Sequence, residues 1–148
     1  MIAVIQRCKS ASVEINGKVH NEVGQGLLVL LGIKKGDTET NIHKLSQKLL
    51  DLRIFDDDKG VMNLSVKDIK GELLIISQFT LCADNGKSGN RPSYINAEVP
   101  EKSEPMYQYF LKHTKENYFA DKVKDGVFGA DMQVKLINDG PVTIILDK

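Results

Sequence analysis

The chain has 148 residues, of which 41% are hydrophobic and 27% are charged, and its 20 lysines and arginines balance 20 aspartates and glutamates. This length and composition predict one folded domain over residues 1–148 and exclude disordered and fibrous classes. Zero net charge argues against indiscriminate binding to nucleic acids or membranes, which requires a broad basic surface. It leaves open the recognition of one RNA end by a small local patch.

Neither a membrane span nor a metal site is predicted. No run approaches the 18 apolar residues of a transmembrane helix, so we expect the protein in the cytoplasm. Cys8 and Cys82 form no CxxC pair, and the three histidines are scattered, so zinc-ligand spacing is lacking. Two reduced, buried thiols are the expected outcome.

The first part of the chain is predicted to be a hairpin followed by a buried strand. Residues 3–15 are rich in β-branched residues, and Asn16 and Gly17 are a strong turn signal before a return strand at residues 18–23. Residues 27–33 are apolar throughout, which is typical of a strand buried on both faces.

Two helices are predicted, joined by a long connection that includes a loop at residues 83–96. Asp37 or Thr38 can cap the first helix. Its apolar residues recur at helical spacing: Ile42, Leu45, Leu49 and Leu52. Ser103 can cap the second helix, with Pro105 in its first turn. One face of that helix carries Met106, Tyr109, Phe110 and His113.

The remaining segments are predicted strands. A buried strand covers residues 72–81, and residues 122–147 hold three strand-like pieces divided at Gly126, at Gly129 and at a turn over residues 138–141. The overall order predicts an α/β fold. We expect a single mixed α/β domain with hairpin-rich, barrel-like β-sheets and two main helices packed on one side.

The apolar run at residues 73–76 stops abruptly at Ser77, Gln78, Phe79 and Thr80. Ser77 or Thr80 could act as a nucleophile only with a base in reach, and no histidine is close in sequence. Alternatively, main-chain N–H groups of this cluster could hold a developing oxyanion. A third interpretation makes Thr80 an ordinary strand residue, and the residues alone leave all three open.

Gly140 and Pro141 stand in a segment that otherwise looks like a strand. Proline donates no ladder hydrogen bond, and a Gly-Pro pair permits unusual backbone geometry. One interpretation is a tight turn between residues 136–137 and 142–146. The other is a backbone feature with a function.

Four segments of the chain form an ordered set. They are GLLVLLGI at residues 26–33, SQFTL at 77–81, GNRPSY at 89–94 and NDGPVT at 138–143. Together they resemble the motifs of D-aminoacyl-tRNA deacylases. The resemblance runs from end to end of the chain, at the family's usual length.

The resemblance implies a reaction, an assembly and a chiral filter. The family hydrolyses the ester between a D-amino acid and the 3′-terminal adenosine of tRNA, as a homodimer without a metal or cofactor. Its sites lie at the dimer interface, where a cis Gly-Pro pair reaches into the partner's site. By analogy, Gly140 and Pro141 would present main-chain carbonyls that clash with an L side chain. Glycyl-tRNA has no side chain, so this filter would not exclude it.

The resemblance also implies roles for the strand-end cluster. Main-chain N–H groups near Phe79 and Thr80 would bind the ester carbonyl, while Ser77 and Gln78 would shape the pocket. We favour assistance by the RNA 2′-hydroxyl over attack by Thr80, because the sequence offers no evident base for that hydroxyl.

Contacts with the RNA are predicted at two further places. Phe128 and Met132 would line an adenine pocket, with ordinary core packing as the alternative. Lys87 and Arg91, in the long loop, would contact the tRNA end. A tRNA-end binding module without catalysis and a structural dimer are the alternative functions, since a fold alone does not define an activity.

Overall fold

The computed structural model describes residues 1–84 and 90–148. These residues form, in order, β1 (Ile2–Ile15), β2 (Lys18–Val23), β3 (Gly26–Gly32), α1 (Glu39–Leu50), β4 (Phe55–Asp56), β5 (Met62–Leu64), β6 (Glu72–Ser77), α2 (Pro100–Glu116), β7 (Val123–Asp125) and β8 (Gln133–Asp147). Short 3₁₀ turns follow β6 at Phe79–Cys82 and precede β7 at Ala120–Lys122. The predicted mixture of strands and helices is confirmed.

The long strand β1 lies at the centre of the main sheet. On one edge it pairs antiparallel with β3 and, further along, with β2, while its other edge pairs with β8. β6 adds to β3 in parallel, and β7 adds to β6. The side-chain amide of Asn21 on β2 donates a hydrogen bond to the main-chain oxygen of Asp125 on β7, at 2.7 Å. This contact nearly closes the sheet, so the predicted barrel-like architecture is confirmed.

Local signals placed the first hairpin and the buried strand correctly. Asn16 and Gly17 have φ angles of 51° and 73°, and two positive φ values are what a tight two-residue hairpin requires. On β3, Leu27 and Val29 pack in the core beneath the helices. Leu28, on the opposite face, packs inside the barrel with residues of β6. β3 is therefore buried on both faces, as predicted.

The two helices pack together against one face of the sheet, as predicted. Thr38 is the N-cap residue of α1, whose apolar face is buried at Ile42, Leu45 and Leu49. The hydroxyls of Ser46 on α1 and Thr114 on α2 lie 3.0 Å apart in the buried helix interface. Within the described ranges, neither helix has the length and apolar character needed to cross a bilayer.

The predicted start of the second helix is wrong. α2 begins four residues earlier, with Val99 as its N-cap and Pro100 in its first turn, where a missing N–H costs nothing. Ser103 is therefore an interior residue and is buried. The buried face of the helix consists of Ser103, Tyr107, Phe110, Leu111 and Thr114, so only Phe110 of the predicted face is fully buried.

The prediction of a turn at residues 138–141 is also wrong, because β8 is one continuous strand. Gln6 and Cys8 of β1, two residues apart, pair with Thr143 and Asn138 of β8, which are five apart. The intervening residues of β8 therefore bulge out of the ladder. The bulge brings Gly140 and Pro141 away from the hydrogen-bonded edge without ending the strand.

The buried strand after Gly71 is shorter than predicted. β6 ends at Ser77 rather than at residue 81, and the chain continues into the 3₁₀ turn Phe79–Cys82. Four apolar residues in succession, 73–76, are buried, and burial stops where the polar cluster begins. The strand thus ends at the cluster that was singled out in the sequence.

Candidate active site

The candidate site is built on the turn that follows β6. Ser77, the last residue of the strand, lies opposite Leu31 of β3. The main-chain N–H of Gln78 donates to the oxygen of Leu31 at 2.7 Å, so the chain stays attached to β3 as it leaves the sheet. The 3₁₀ turn that follows exposes Phe79 and Thr80 to solvent. A rigid strand end therefore positions this polar cluster.

Gly32 allows the 3₁₀ turn to pack directly on β3. A Cβ atom at Gly32 would lie 3.0 Å from Sγ of Cys82 and 3.1 Å from the main-chain oxygen of Gln78. Cys82 is itself buried, and its thiol donates to the main-chain oxygen of Ile33 at 3.5 Å. Burial raises the pKa of the Cys82 thiol, which keeps it protonated. Cys82 thus has a structural role beneath the turn. The role of Gly32, whose missing side chain allows the turn to pack on β3, was not predicted from the sequence.

The turn presents main-chain donors at its start. In a 3₁₀ turn the first N–H groups have no partner within the turn, because the bonds run from later residues back to earlier carbonyls. Here those groups belong to Phe79 and Thr80, and no side chain of the described residues caps them. Unpaired N–H groups at a fixed position are suited to binding a developing negative charge.

The hydroxyl of Thr80 is held by its neighbour. Nε2 of Gln78 donates a hydrogen bond to Oγ1 of Thr80 at 2.5 Å. This is the single side-chain hydrogen bond of Thr80 within residues 1–84 and 90–148, and it engages a lone pair of the oxygen rather than removing its proton. The contact with Gln78 therefore does not activate Thr80 as a nucleophile.

A cavity of about 700 Å³ opens beside the turn. Ser77, Gln78 and Phe79 line it on one side, and Phe128 and Met132 line it from the segment between β7 and β8. Five predicted site residues thus meet at one cavity, although their roles there stay a prediction. Thr80 follows the lining residues in sequence and lies in the exposed first part of the turn.

Two aromatic side chains form part of the cavity rim. The ring of Phe79 is 57% exposed, and the ring of Tyr94 meets it edge to face at a centroid distance of 5.0 Å. Exposed apolar rings at a cavity mouth are suited to contact with a base or with another protein surface. Sequence reasoning treated Tyr94 only as part of a loop motif, since nothing in its neighbours predicts this contact.

Gly140 and Pro141 lie elsewhere on the chain. Both are exposed, the peptide bond between them is cis, and the φ of Gly140 is 128°. Neither lines the cavity in the described part of the same chain. The structure of one chain therefore does not bring the two predicted motifs together.

Arg7 anchors the segment that leads to Gly140. Its side chain is 9% exposed, and Nε donates to the main-chain oxygen of Asp139 at 3.1 Å. Nη1 donates to the main-chain oxygen of Ile54 at 2.8 Å and lies 3.4 Å from the carboxylate of Asp56. No sequence signal pointed to Arg7, because burial of an arginine in a strand depends on partners that are distant along the chain.

Of the two predicted loop cations, the structure describes only Arg91. Arg91 is exposed and does not line the cavity as far as residues 90–148 and 1–84 define it. Lys87 lies outside the described residues. The stem of this loop is fixed by a bridge between Asp84 and Ser93.

Main-chain donors at a strand end beside a cavity are the kind of arrangement that hydrolases use to bind an oxyanion. The family model described as D-Tyr-tRNA(Tyr) deacylase matches residues 4–147, and the chain belongs to that family.

Relatives support the family assignment over nearly the whole chain. A protein of Porphyromonas gingivalis named D-aminoacyl-tRNA deacylase is 54% identical over 147 residues, covering 99% of this chain and 97% of the relative. A protein of the same name from Persephonella marina is 56% identical with the same coverage.

Solved structures share the fold. A structure named c-Myc DNA Unwinding Element Binding Protein superposes with a TM-score of 0.95 at 42% identity, covering 100% of this chain and 99% of that one. A probable eukaryotic D-amino acid tRNA deacylase superposes with a TM-score of 0.84 at 16% identity, covering 99% and 98%. The second likeness shows the fold alone.

Proposed function

We propose that the chain, acting as one deacylase domain over residues 1–148, hydrolyses the ester between a D-amino acid and the 3′-terminal adenosine of tRNA. The observation that carries this proposal is the pair of N–H groups at Phe79 and Thr80, which have no hydrogen-bond partner among the described residues and lie beside a cavity that Phe128 and Met132 also line. Membership of the deacylase family supports it. The proposed reaction invokes no metal and no cofactor.

In the proposed reaction, the N–H groups of Phe79 and Thr80 bind the ester carbonyl oxygen. Water adds to the carbonyl carbon, the bond to the ribose 3′-oxygen breaks, and that oxygen takes up a proton as the free amino acid leaves. Binding of the oxyanion by fixed donors lowers the barrier of such a step.

We assign assistance to the 2′-hydroxyl of the terminal adenosine rather than to Thr80. The hydroxyl of Thr80 accepts a hydrogen bond from Gln78, and no base of the described residues contacts it. An aminoacyl ester is already activated, so positioning and oxyanion binding are sufficient roles for the protein. Phe128 and Met132 then contact the adenine ring, for which their apolar surfaces are suited.

The chiral filter is assigned to a second copy of the chain. Gly140 and Pro141 are exposed on the bulge and, among the described residues, do not line the cavity of their own chain. β8 pairs only with β1 in the described part of the chain and exposes Ile137 and Ile145, at 59% and 65%. A homodimer would cover such residues and place the Gly-Pro carbonyls of one copy at the cavity of the other.

Substrate selection in this proposal is by clash. Carbonyls close to Cα leave room for hydrogen but none for an L side chain, so many D-amino acids are accepted and glycine is not excluded. Local cations such as Arg91 and Lys87 would contact the tRNA end in the cytoplasm, since the net charge of zero provides no broad basic surface.

The deciding experiment incubates the purified protein with D-Tyr-tRNA and L-Tyr-tRNA and measures the release of each amino acid. We expect release from the D form and little from the L form. Equal rates would remove the chiral filter from the proposal. Binding of charged tRNA without any release would replace the enzyme by a binding module. Gel filtration of the same preparation tests the dimer.

A further inference from the structure

The described charged residues that line the cavity include more acids than bases. Among the described residues that line it, Lys35 is the single cation, whereas Glu98 and Asp131 are acids. The carboxylate of Glu98 accepts a hydrogen bond from the N–H of Val99 at 3.0 Å, which holds this acid at the cavity. An anionic group would therefore be repelled from most of the rim and attracted at one place.

The backbone directs Lys35 to the cavity. Residues 33–35 form a short antiparallel pairing with residues 96–98, in which the N–H of Lys35 donates to Asn96 at 3.0 Å and the N–H of Glu98 donates to Ile33 at 3.0 Å. Side chains alternate along such a segment. Ile33 and Lys35 accordingly both line the cavity.

The neighbouring lysine serves a different purpose. Nζ of Lys34 lies 2.5 Å from the carboxylate of Asp147, at the end of β8. By contrast, no carboxylate of the described residues lies within 4.0 Å of the ammonium of Lys35, which is exposed. Lys35 is thus available to an external anion, whereas Lys34 is occupied by a structural ion pair.

We propose that Lys35 binds the phosphodiester on the 5′ side of the terminal adenosine. The assignment rests on the proposed function, because it takes the ester at the strand-end turn and the adenine at Phe128 and Met132 as given. A nucleotide held at those two points has one anionic group left, the phosphodiester that joins it to the rest of the tRNA outside the cavity. Lys35 provides the matching charge there, and a lysine ammonium binds phosphate as a point charge.

Two small substrates isolate this contact. One is the D-tyrosyl ester of adenosine, and the other is the same ester carrying a 5′-methyl phosphate, which reproduces the phosphodiester charge. We expect the wild-type protein to prefer the phosphorylated ester by about three- to tenfold in kcat/KM, mainly through KM, as for one exposed charge-assisted hydrogen bond.

Three variants make the test specific. Lys35→Ala should abolish the preference by lowering kcat/KM for the phosphorylated ester towards that for the unphosphorylated one, while Lys35→Arg should retain the preference. Lys44→Ala is the matched control, because Lys44 is an exposed lysine of α1 that has no ion pair in the described residues and does not line the cavity. It should behave as wild type.

Each other outcome is decisive. An equal loss on both esters, or no loss on either, would overturn the assignment of Lys35 to the phosphate. A change in gel-filtration behaviour of Lys35→Ala with equal loss on both esters would assign the residue to a contact between copies instead. Failure of the wild-type protein to hydrolyse D-Tyr-tRNA would refute the proposed function itself, so the two failures are distinguishable.

Discussion

The guanidinium of Arg7 donates a hydrogen bond to the main-chain oxygen of Asp139 at 3.1 Å and lies 3.3 Å from the carboxylate of the same residue. A buried cation on the central strand therefore holds the residue that precedes Gly140. Nη1 of the same side chain donates a hydrogen bond to the main-chain oxygen of Ile54 at 2.8 Å, which fixes the guanidinium from a second direction. The contact thus ties the bulge of β8 to β1.

Arg7→Lys should destabilise the fold and misplace the bulge. Lysine cannot form the forked contacts of arginine, so buried acceptors lose a partner, and we expect a loss of about 2–4 kcal/mol in the free energy of unfolding. Urea unfolding measures this loss. Lys9→Ala is the control, because Lys9 is 69% exposed and lies 3.9 Å from Asp139, and it should change stability by less than about 0.5 kcal/mol. Equal effects of the two substitutions would contradict the anchoring role of Arg7.

Gly140→Ala should impair both stability and chiral selection. At a φ of 128°, the added Cβ would lie 2.7 Å from Cγ2 and 2.8 Å from N of Val142, so the backbone of the bulge must shift. We expect a cost of about 1–3 kcal/mol in unfolding free energy and a reduced ratio of D-Tyr-tRNA to L-Tyr-tRNA hydrolysis.

Gly36→Ala separates the strain of a positive φ from the specific position of Gly140 on the bulge. Gly36 also has a positive φ, of 85°, but a Cβ there would meet nothing within 4 Å. This control should lose some stability and keep wild-type selectivity. Wild-type selectivity in folded Gly140→Ala would count against the carbonyl filter.

The strand-end turn should tolerate loss of a hydroxyl better than loss of a main-chain donor. Phe79→Pro removes one N–H from the proposed oxyanion site and is expected to lower kcat by about 10²–10³-fold, whereas Phe79→Ala keeps the donor. Thr80→Ala should stay within about tenfold of wild type if that hydroxyl is not the nucleophile. Single-turnover deacylation with folded variants measures all three rates. Complete loss in Thr80→Ala would favour direct attack by threonine.

His113 should make the fold sensitive to mild acid. Burial, and next the nearby charge of His43, lower the pKa of His113, although Glu116 opposes this. The two imidazole rings are stacked at 4.3 Å, and His43 also contacts the hydroxyl of Tyr109 at 3.0 Å. Below the ordinary histidine pKa of about 6.5, the unfolded chain gains this proton more readily than the folded chain, so stability falls as the pH drops.

Urea unfolding at about pH 7.5 and about pH 5.5 tests this expectation, since the interval spans the ordinary histidine pKa. His113→Gln should lose less stability over the interval than wild type. His20→Gln is the control, because His20 is exposed on β2, and it should lose as much as wild type. An unchanged loss in His113→Gln would show that this histidine is not responsible.

Local chemistry explains what could be predicted from the sequence. The turn at Asn16 and Gly17 needs only their tolerance of positive φ, and the cap at Thr38 needs only a hydroxyl before an apolar helix pattern. The burial of residues 73–76 follows from their apolar character, although β6 ends at Ser77 and not at the predicted residue 81. Each of these features is set by neighbours along the chain.

Tertiary partners explain what could not be predicted. Ser103 has the chemistry of a cap, yet the pairing of residues 96–98 with 33–35 and the proline at position 100 start α2 earlier. Gly140 and Pro141 have the chemistry of a turn, yet β1 continues beside them and keeps β8 intact. The cavity unites Ser77 with Phe128 only through the fold, and a role in catalysis for either stays a prediction.

The separation of the cavity from the bulge within one chain has a consequence for mixtures. In a dimer of the proposed kind, each catalytic centre would combine the Phe79 of one copy with the Gly140 of the other. A chain disabled by Phe79→Pro would still present an intact Gly140 to its neighbour. Refolding it together with the Gly140→Ala chain should give less hydrolysis of L-Tyr-tRNA than the Gly140→Ala chain shows alone, while hydrolysis of D-Tyr-tRNA persists. The inactive chain would then restore chiral selection at the active site of its partner.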